Sequence, residues 1–373
     1  MKNEVKKLKK KEIKIKSDVL VRSSLSVLFT SIFIVLFFVC GGLLYFYNVV
    51  IVDKFQGYDF QVHFIDVGQG DSILIKFPNE QTMLIDAGEE DKGETVTAYV
   101  NNFLKNEGLS YLDYLVLTHP DADHIGGAIE VLESIQVATV FRPKVYTPEE
   151  AADMSSENIM ISTTQTYDRV ISLVTEKGCN IIYNKQGIEL NLGGCQVEFL
   201  SPASDYYSST NSISAVIMMT YQTKKFLFTG DADATIENTL ITQYGDYLKA
   251  DVLKVAHHGS SSSSTEEFLQ LVRPEYAVLC VAQNRDLPSV EVLNRLHDIN
   301  SQILTTSSNG SIAVTIENDS VVYATAPVPT IDIALLISIY VLLLIFTWGI
   351  RKKEKPKRPK NVIRDNKENN SDI

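Results

Sequence analysis

Four side chains that can hold a metal fall within six positions of this sequence, His119, Asp121, Asp123 and His124 in the segment LVLTHPDADHIGG. The apolar run YLVLT ahead of them reads as a strand buried on both faces, and the two glycines behind them let backbone approach closely. Taken singly, His119 is an ordinary strand-end histidine with a hydrogen-bond partner. Packing does not explain the cluster, because carboxylates and imidazoles gathered out of water repel and desolvate one another unless a cation lies among them. The fold must therefore bring at least one strand end to a metal.

Two later segments repeat the pattern. FLFTGDAD carries an apolar strand to Asp231, although an Asp there also reads as the cap of the next helix, a role open to Asp233. VLKVAHHGS carries another strand to His257 and His258. Three strand ends bearing His and Asp fit a site made by loops at one sheet edge. Of the six histidines, this leaves His63 and His297 as structural. The GQGDS run, Gly68 to Ser72, lacks the lysine and helix of a phosphate loop and reads as a tight turn near the metal edge. Ser260–Ser264 reads as a flexible rim whose hydroxyls are open to a cleft, followed by Thr265 as a helix N-cap.

Around these segments, strands and helices alternate in two similar halves. QVHFIDV, SILIKF and TMLIDAG precede a helix over 94–105 and the strand leading to His119; a helix then runs to Glu133 and a polar helical stretch covers 147–178. The second half opens near Ile181 with IIYN, QVEFL, SAVIMMTY and KKFLFTG, then a helix over 234–248, DVLKVAHHG, YAVLCVA and a helix over 290–298. It closes with QILTT, SIAVTIE and SVVYAT. Such an order predicts two sheets face to face with helices outside.

HFIDVGQGDSILI, MLIDAG, HPDADHIGG, FLFTGD, ADVLKVAHHGS and SSNGSIAVTI together resemble the metallo-β-lactamase superfamily, and within it the soluble hydrolase domain of ComEC-type competence proteins. The resemblance covers about Gln61 to Thr325. It implies a four-layer αββα sandwich of the mixed α/β class with two metals at one edge, typically Zn2+. Carried over, His119 and Asp121 hold one metal, Asp123 and His124 the second, Asp231 bridges, and His257 completes the second site. His258 is then an alternative ligand or a phosphate-contacting side chain, and Asp86 orients a ligand from behind. Two departures stand out. Asp121 replaces the superfamily's usual histidine, and no histidine lies between His124 and His257, so Asn211 and Ser212 stand where one normally precedes the bridging aspartate. A site so rich in oxygen also admits Mn2+. The implied reaction is hydrolysis by a metal-activated water, whose pKa falls from about 15.7 to about 7. Asp121, where not a ligand, accepts a proton, and His258 donates to the developing oxyanion.

The rest of the chain sets location. Residues 23–52 and 333–350 carry no charge and are long enough to cross a bilayer of roughly 20 helical residues. The first run is too long for a signal peptide and lacks its cleavage site. Residues 1–22 hold nine Lys/Arg against three acids, and residues 351–373 nine against four. Basic flanks stay inside. The expected layout is thus a cytoplasmic tail (1–22), a transmembrane helix (23–52), an extracytoplasmic hydrolase domain (53–330), a second transmembrane helix (331–350) and a cytoplasmic tail (351–373). The formal net charge is −12, and since the tails contribute +6 and +5, the stretch between them carries −23. No basic nucleic-acid patch is visible. No CxxC spacing points to a cysteine metal site; a Cys179–Cys195 disulfide and buried free thiols are both open.

The leading expectation is a phosphodiesterase or nuclease acting on DNA outside the membrane, serving a separate DNA-uptake channel because two spans make no pore. Secreted phosphorylcholine esterases share the HFIDVGQGDS opening and the HHG segment, so hydrolysis of cell-wall polymers, with a pocket drawing on Tyr206 and Tyr207, is the second reading. A membrane-anchored, non-catalytic binding scaffold is the third.

Overall fold

Strict alternation along the strands decides which layer each residue enters. In KKFLF, Phe226 and Phe228 point into one apolar cluster and Leu227 into another; successive strand side chains face opposite ways, so a strand apolar at every position is sandwiched on both faces. The computed structural model describes residues 55–152, 154, 159–283 and 286–326, with 3, 5–14, 16 and 31 near the N-terminus. The chain forms two units, 1–43 with 329–373, and 44–328. In the first, residues 5–14 are helical and exposed. The predicted spans 23–52 and 331–350 lie outside the described residues, apart from residue 31. Among the described residues no helix is long and apolar enough to cross a membrane.

The second unit holds β1 (Gln61–Phe64), β2 (Ile73–Lys76), β3 (Thr82–Ile85), β4 (Leu112–Val116), β5 (Val137–Arg142), β6 (Val145–Tyr146), β7 (Met160–Ile161), β8 (Asn180–Tyr183), β9 (Glu189–Leu192), β10 (Cys195–Ser201), β11 (Val216–Tyr221), β12 (Lys224–Phe228), β13 (Val252–Lys254), β14 (Tyr276–Leu279), β15 (Gln302–Thr305), β16 (Ile312–Glu317) and β17 (Ser320–Thr325). One sheet runs β17-β16-β1-β2-β3-β4-β5-β8, the other β15-β14-β13-β12-β11-β10-β9, and β6 pairs with β7 apart from both. Helices Gly93–Glu107, Ala128–Ser134 and Gln165–Glu176 cover the first sheet through Val100, Phe103, Val131 and Val170. Helices Ala234–Tyr244, Glu266–Val272 and Val290–Asp298 cover the second through Ile236, Leu240, Phe268 and Leu296. Between the sheets lie Phe64, Ile75, Phe141, Phe199, Ile217 and Phe228; each such side chain contributes about 1.5–3 kcal/mol on burial. The result is the αββα sandwich.

Several assignments differ from the sequence reading. IIYN pairs with β5 and so closes the first sheet, and SIAVTIE returns to pair on β1 with SVVYAT outside it on β16. These strands look alike on paper, since pairing partners distant in sequence leave no local trace. The stretch 147–178 is broken by β7 and becomes two helices, Pro148–Ala151 and Gln165–Glu176. The helix expected over 234–248 ends at Tyr244, where Gly245 takes φ 48°. Cys179 and Cys195 are free; burial pushes the Cys195 thiol up to about 12.

His63 is fully buried between Tyr99 (2.9 Å) and Gln61 (3.1 Å), and burial holds its pKa down at about 3. The folded protein thus needs the neutral ring, whose unfolded pKa is about 6.5. Stability is full above that value and falls as pH drops from 6.5 toward 3. Urea unfolding at pH 7 and pH 4.5 is expected to show a loss about 2–3 kcal/mol smaller in His63→Gln than in wild type. Equal losses would exclude His63 as an acid-labile point.

Candidate metal centre

The centre lies beyond the carboxyl ends of β4, β12 and β13, each running parallel to a neighbour, where open α/β sheets place their sites. After β4 the chain passes Thr118 and His119 and turns at Asp121 into the short helix Ala122–Ile125, which carries Asp123 and His124. The GQGDS loop rests against this turn: a Cβ at Gly70 would stand 2.2 Å from the Asp123 carbonyl oxygen, and Asp71 N–H donates to that oxygen at 3.3 Å. The predicted tight turn is there, and only glycine fits at its contact point.

Asp86 organises the first half from behind. It is fully buried, accepts the Thr118 N–H (2.8 Å) and the Thr118 hydroxyl (2.6 Å), and takes the His124 Nδ1–H at 2.8 Å. With its only proton given to Asp86, the Thr118 hydroxyl accepts from His119 Nδ1 (3.0 Å). Both imidazoles are thereby protonated at Nδ1, which in the neutral ring leaves the Nε2 lone pair turned toward the centre. Burial, with the nearby His124, keeps the His119 pKa well below the ordinary value, so this ring is neutral.

The second half supplies the rest. Asp231 follows β12, is nearly fully buried, and lies 3.1 Å from His124 Nε2 and 4.0 Å from His119 Nε2. His257 and His258 both have positive φ, 50° and 53°, a strained backbone for residues with a Cβ. His257 N–H bonds to the Gly230 carbonyl (3.2 Å), and His258 Nδ1–H donates to the Cys280 carbonyl (2.9 Å). A carbonyl only accepts, so His258 Nε2 is a third bare lone pair. It lies 3.2 Å from His124 Nε2, 3.3 Å from Asp123 and 3.6 Å from Asp231. His257 instead sits at the rim, 28% exposed, with Nε2 3.8 Å from Asp231 and its ring beside Asn211 and Ser262. The structure therefore groups His258, rather than His257, with Asp123 and His124; the Cys280 bond swings that ring inward.

The electrostatics match. Burial works against ionising His124, yet Asp231, Asp71 and Asp86 around it outweigh that and hold its pKa well above normal, so without a cation a second proton occupies its Nε2, and a metal would take that proton's place. Against the same burial penalty, His258 and His124 hold Asp123, and His124, His258 and Lys254 hold Asp231, far below the usual carboxylate range. Burial raises Asp121, assisted by Asp123 and opposed by a hydrogen bond from Thr210. Asp121 is the most open of the set, 42% exposed and 3.7 Å from His119 Nε2. Asn211 reaches the rim, while Ser212 donates to Asp233 (2.6 Å), the N-cap of the following helix, and does not face the ligands.

A metal fits this arrangement. His119 Nε2 and Asp231 Oδ1 are buried without a hydrogen-bond partner, and candidate donor atoms face one another at 3.1–4.0 Å. Zinc bonds of about 2.0–2.1 Å space tetrahedral ligands roughly 3.3 Å apart. Asp123, His124, His258 and Asp231 supply four donors; His119 and Asp121, sharing Asp231, supply a poorer second set.

Two residues of the site were missed in the sequence. Asp71, in GQGDS, and Lys254, at the end of β13, are both buried and form an ion pair of 2.5 Å. A lysine inside the apolar run VLKVA was the available signal, because a lone buried charge requires a partner. The serine run is not a loose rim either. Ser263 and Ser264 are buried, Glu237 accepts the Ser264 and Thr265 N–H groups, and Arg295 donates to the Ser263 and Ser264 carbonyls. Thr265 caps the next helix as expected.

A two-sheet sandwich with His and Asp donors gathered at one edge defines a hydrolase fold built around a metal centre. The chain belongs to the metallo-beta-lactamase superfamily, which matches residues 65–283. It is similar to ComE operon protein 3 of Bacillus subtilis (31% identity over 276 residues, 69% of this chain and 33% of that protein). It is also similar to Recombination protein 2 of Haemophilus influenzae (28%, 75% of this chain and 32% of that protein) and Competence protein ComA of Neisseria gonorrhoeae (29%, 66% and 31%). The chain thus spans about a third of the length of the curated relatives it matches. Among solved structures, the metallo-beta-lactamase fold protein YhfI from Bacillus subtilis aligns at a TM-score of 0.43, with 12% identity over 68% of this chain and 98% of that one.

Proposed function

We propose that this chain is a metal-dependent phosphodiesterase anchored in the cell membrane, with its domain outside, acting on DNA in concert with a separate uptake channel. The observation that carries the hydrolase reading is the convergence of three imidazole Nε2 atoms on the buried Asp231 carboxylate. The competence proteins among its relatives support DNA as substrate. A bound divalent metal, Zn2+ or Mn2+, would acidify a water and withdraw charge from a phosphoryl oxygen. Asp123, His124, His258 and Asp231 would hold one ion, and His119, Asp121 and Asp231 a weaker second.

The chain's own residues have distinct tasks around that metal. Asp86 and the Cys280 carbonyl fix the ring tautomers. Asp121, open to solvent and raised by burial, is placed to accept a proton from the attacking water where it does not hold the second ion. His257, at the rim beside Asn211 and Ser262, faces the side from which a phosphate enters. The acidic surface gives DNA no general attraction, so metal must supply the local positive charge.

The test is hydrolysis of bis-p-nitrophenyl phosphate by the detergent-solubilised full chain, stripped by chelator and reloaded with Zn2+ or Mn2+. Turnover that returns with metal, followed by cleavage of single-stranded DNA, supports the reading. Absence of turnover with either ion would refute the phosphodiesterase assignment. Turnover on choline-bearing wall polymer but not DNA would move the substrate to the second class.

A further inference from the structure

Lys254 is a charged residue with no solvent. Its ammonium donates to Asp71 (2.5 Å) and to the Gly230 carbonyl (3.1 Å), and stands 3.7 Å from Asp231 Oδ1. Burial works against its charge, but Asp71 and Asp231 outweigh that and raise its pKa above that of an ordinary lysine. A protonated amine has no lone pair, so it is no metal ligand. Its partner Asp71 lies behind the ligand rings. One oxygen is 3.7 Å from His124 Nδ1 and the other 3.7 Å from His258 Nδ1, behind the rings whose Nε2 atoms face the centre. Asp71 comes from the β1–β2 loop of one sheet and Lys254 from the end of β13 in the other.

The pair is thus an oriented dipole with its positive end beside Asp231 and its negative end behind two imidazoles. We propose that Lys254 and Asp71 set the metal affinity of the centre as a positioning pair of opposed charges, the ammonium weakening divalent-cation binding and the carboxylate strengthening it. The argument rests on the metal-centre reading but not on the choice of phosphodiester substrate. A unit charge fixed a few ångströms from a divalent ion in a water-poor site acts strongly on it. With both Nδ1–H groups already given to Asp86 and the Cys280 carbonyl, the Asp71 carboxylate acts on the two rings through its field alone, which favours a cation at their Nε2 atoms. One residue alone would push the affinity far one way; together they hold it between.

The sign of each substitution distinguishes this from a structural brace. In competition with a chromogenic chelator, the solubilised full chain with Lys254→Met is expected to bind Zn2+ at least about 10-fold more tightly than wild type. Asp71→Asn is expected to bind at least about 10-fold more weakly, and Asp71→Asn/Lys254→Met to lie within about 3-fold of wild type. Thermal unfolding of the metal-free proteins runs alongside, and the double variant, which buries no unpaired charge, guards against misfolding of either single one. Opposite signs that cancel support the proposal. Weakened binding in all three variants would overturn it and leave the pair a brace between sheets. No Zn2+ bound by folded wild type would instead overturn the metal-centre reading on which it rests.

Discussion

Asp231→Ala is expected to abolish metal-dependent hydrolysis, by about 10³-fold or more, and to strip the centre of ion. The size follows from position. Asp231 touches both candidate sites, lying 3.1 Å from His124 and 4.0 Å from His119, and is nearly fully buried. A factor of 10³ corresponds to about 4 kcal/mol of lost transition-state stabilisation, within the several kcal/mol a Lewis-acidic metal contributes. Bound metal per chain, measured by elemental analysis after gel filtration, and bis-p-nitrophenyl phosphate turnover should fall together. Full activity in the variant would remove Asp231 from the mechanism.

Asp86→Asn is expected to give the second-largest effect while leaving the fold in place. Asp86 has φ 57°, a conformation asparagine accepts readily. The amide can still accept the Thr118 N–H, but its NH2 now meets His124 Nδ1. That contact is favourable only when Nδ1 is bare, which puts the proton on Nε2 and removes the lone pair from the centre. Metal affinity is expected to fall about 10–100-fold with a change in melting temperature of only a few degrees. Asp86→Ala, by contrast, leaves the Thr118 N–H, the Thr118 hydroxyl and His124 without a partner and should cost about 3 kcal/mol or more. Unchanged Zn2+ affinity in Asp86→Asn would show that the tautomer is fixed otherwise.

The legible part of this protein was the part written in short segments. Apolar strands ending in HPDADH, GDAD and HHG announced both the layers and most of the donors, since each is complete within about ten residues. What stayed hidden depended on contacts between segments far outside such a window. The return of β16 and β17 to β1 spans the whole domain, and IIYN gave no sign that its partner was β5. The choice between His257 and His258 was invisible because it is made by the Cys280 carbonyl, 22 residues on. Asp71 passed as a turn residue because its partner, Lys254, is more than 180 positions away.

The donors are divided between the halves of the sandwich: His119, Asp121, Asp123 and His124 arrive with β4, Asp231 and His258 with β12 and β13. Neither half alone carries the full donor set. The ion is therefore the last guest to be admitted, after both sheets have closed on each other. Its binding energy falls wholly on the closed state and works as a clasp across the seam. A chain that has not finished folding offers only part of the donor set, so its hold on an ion is weaker than that of the closed sandwich.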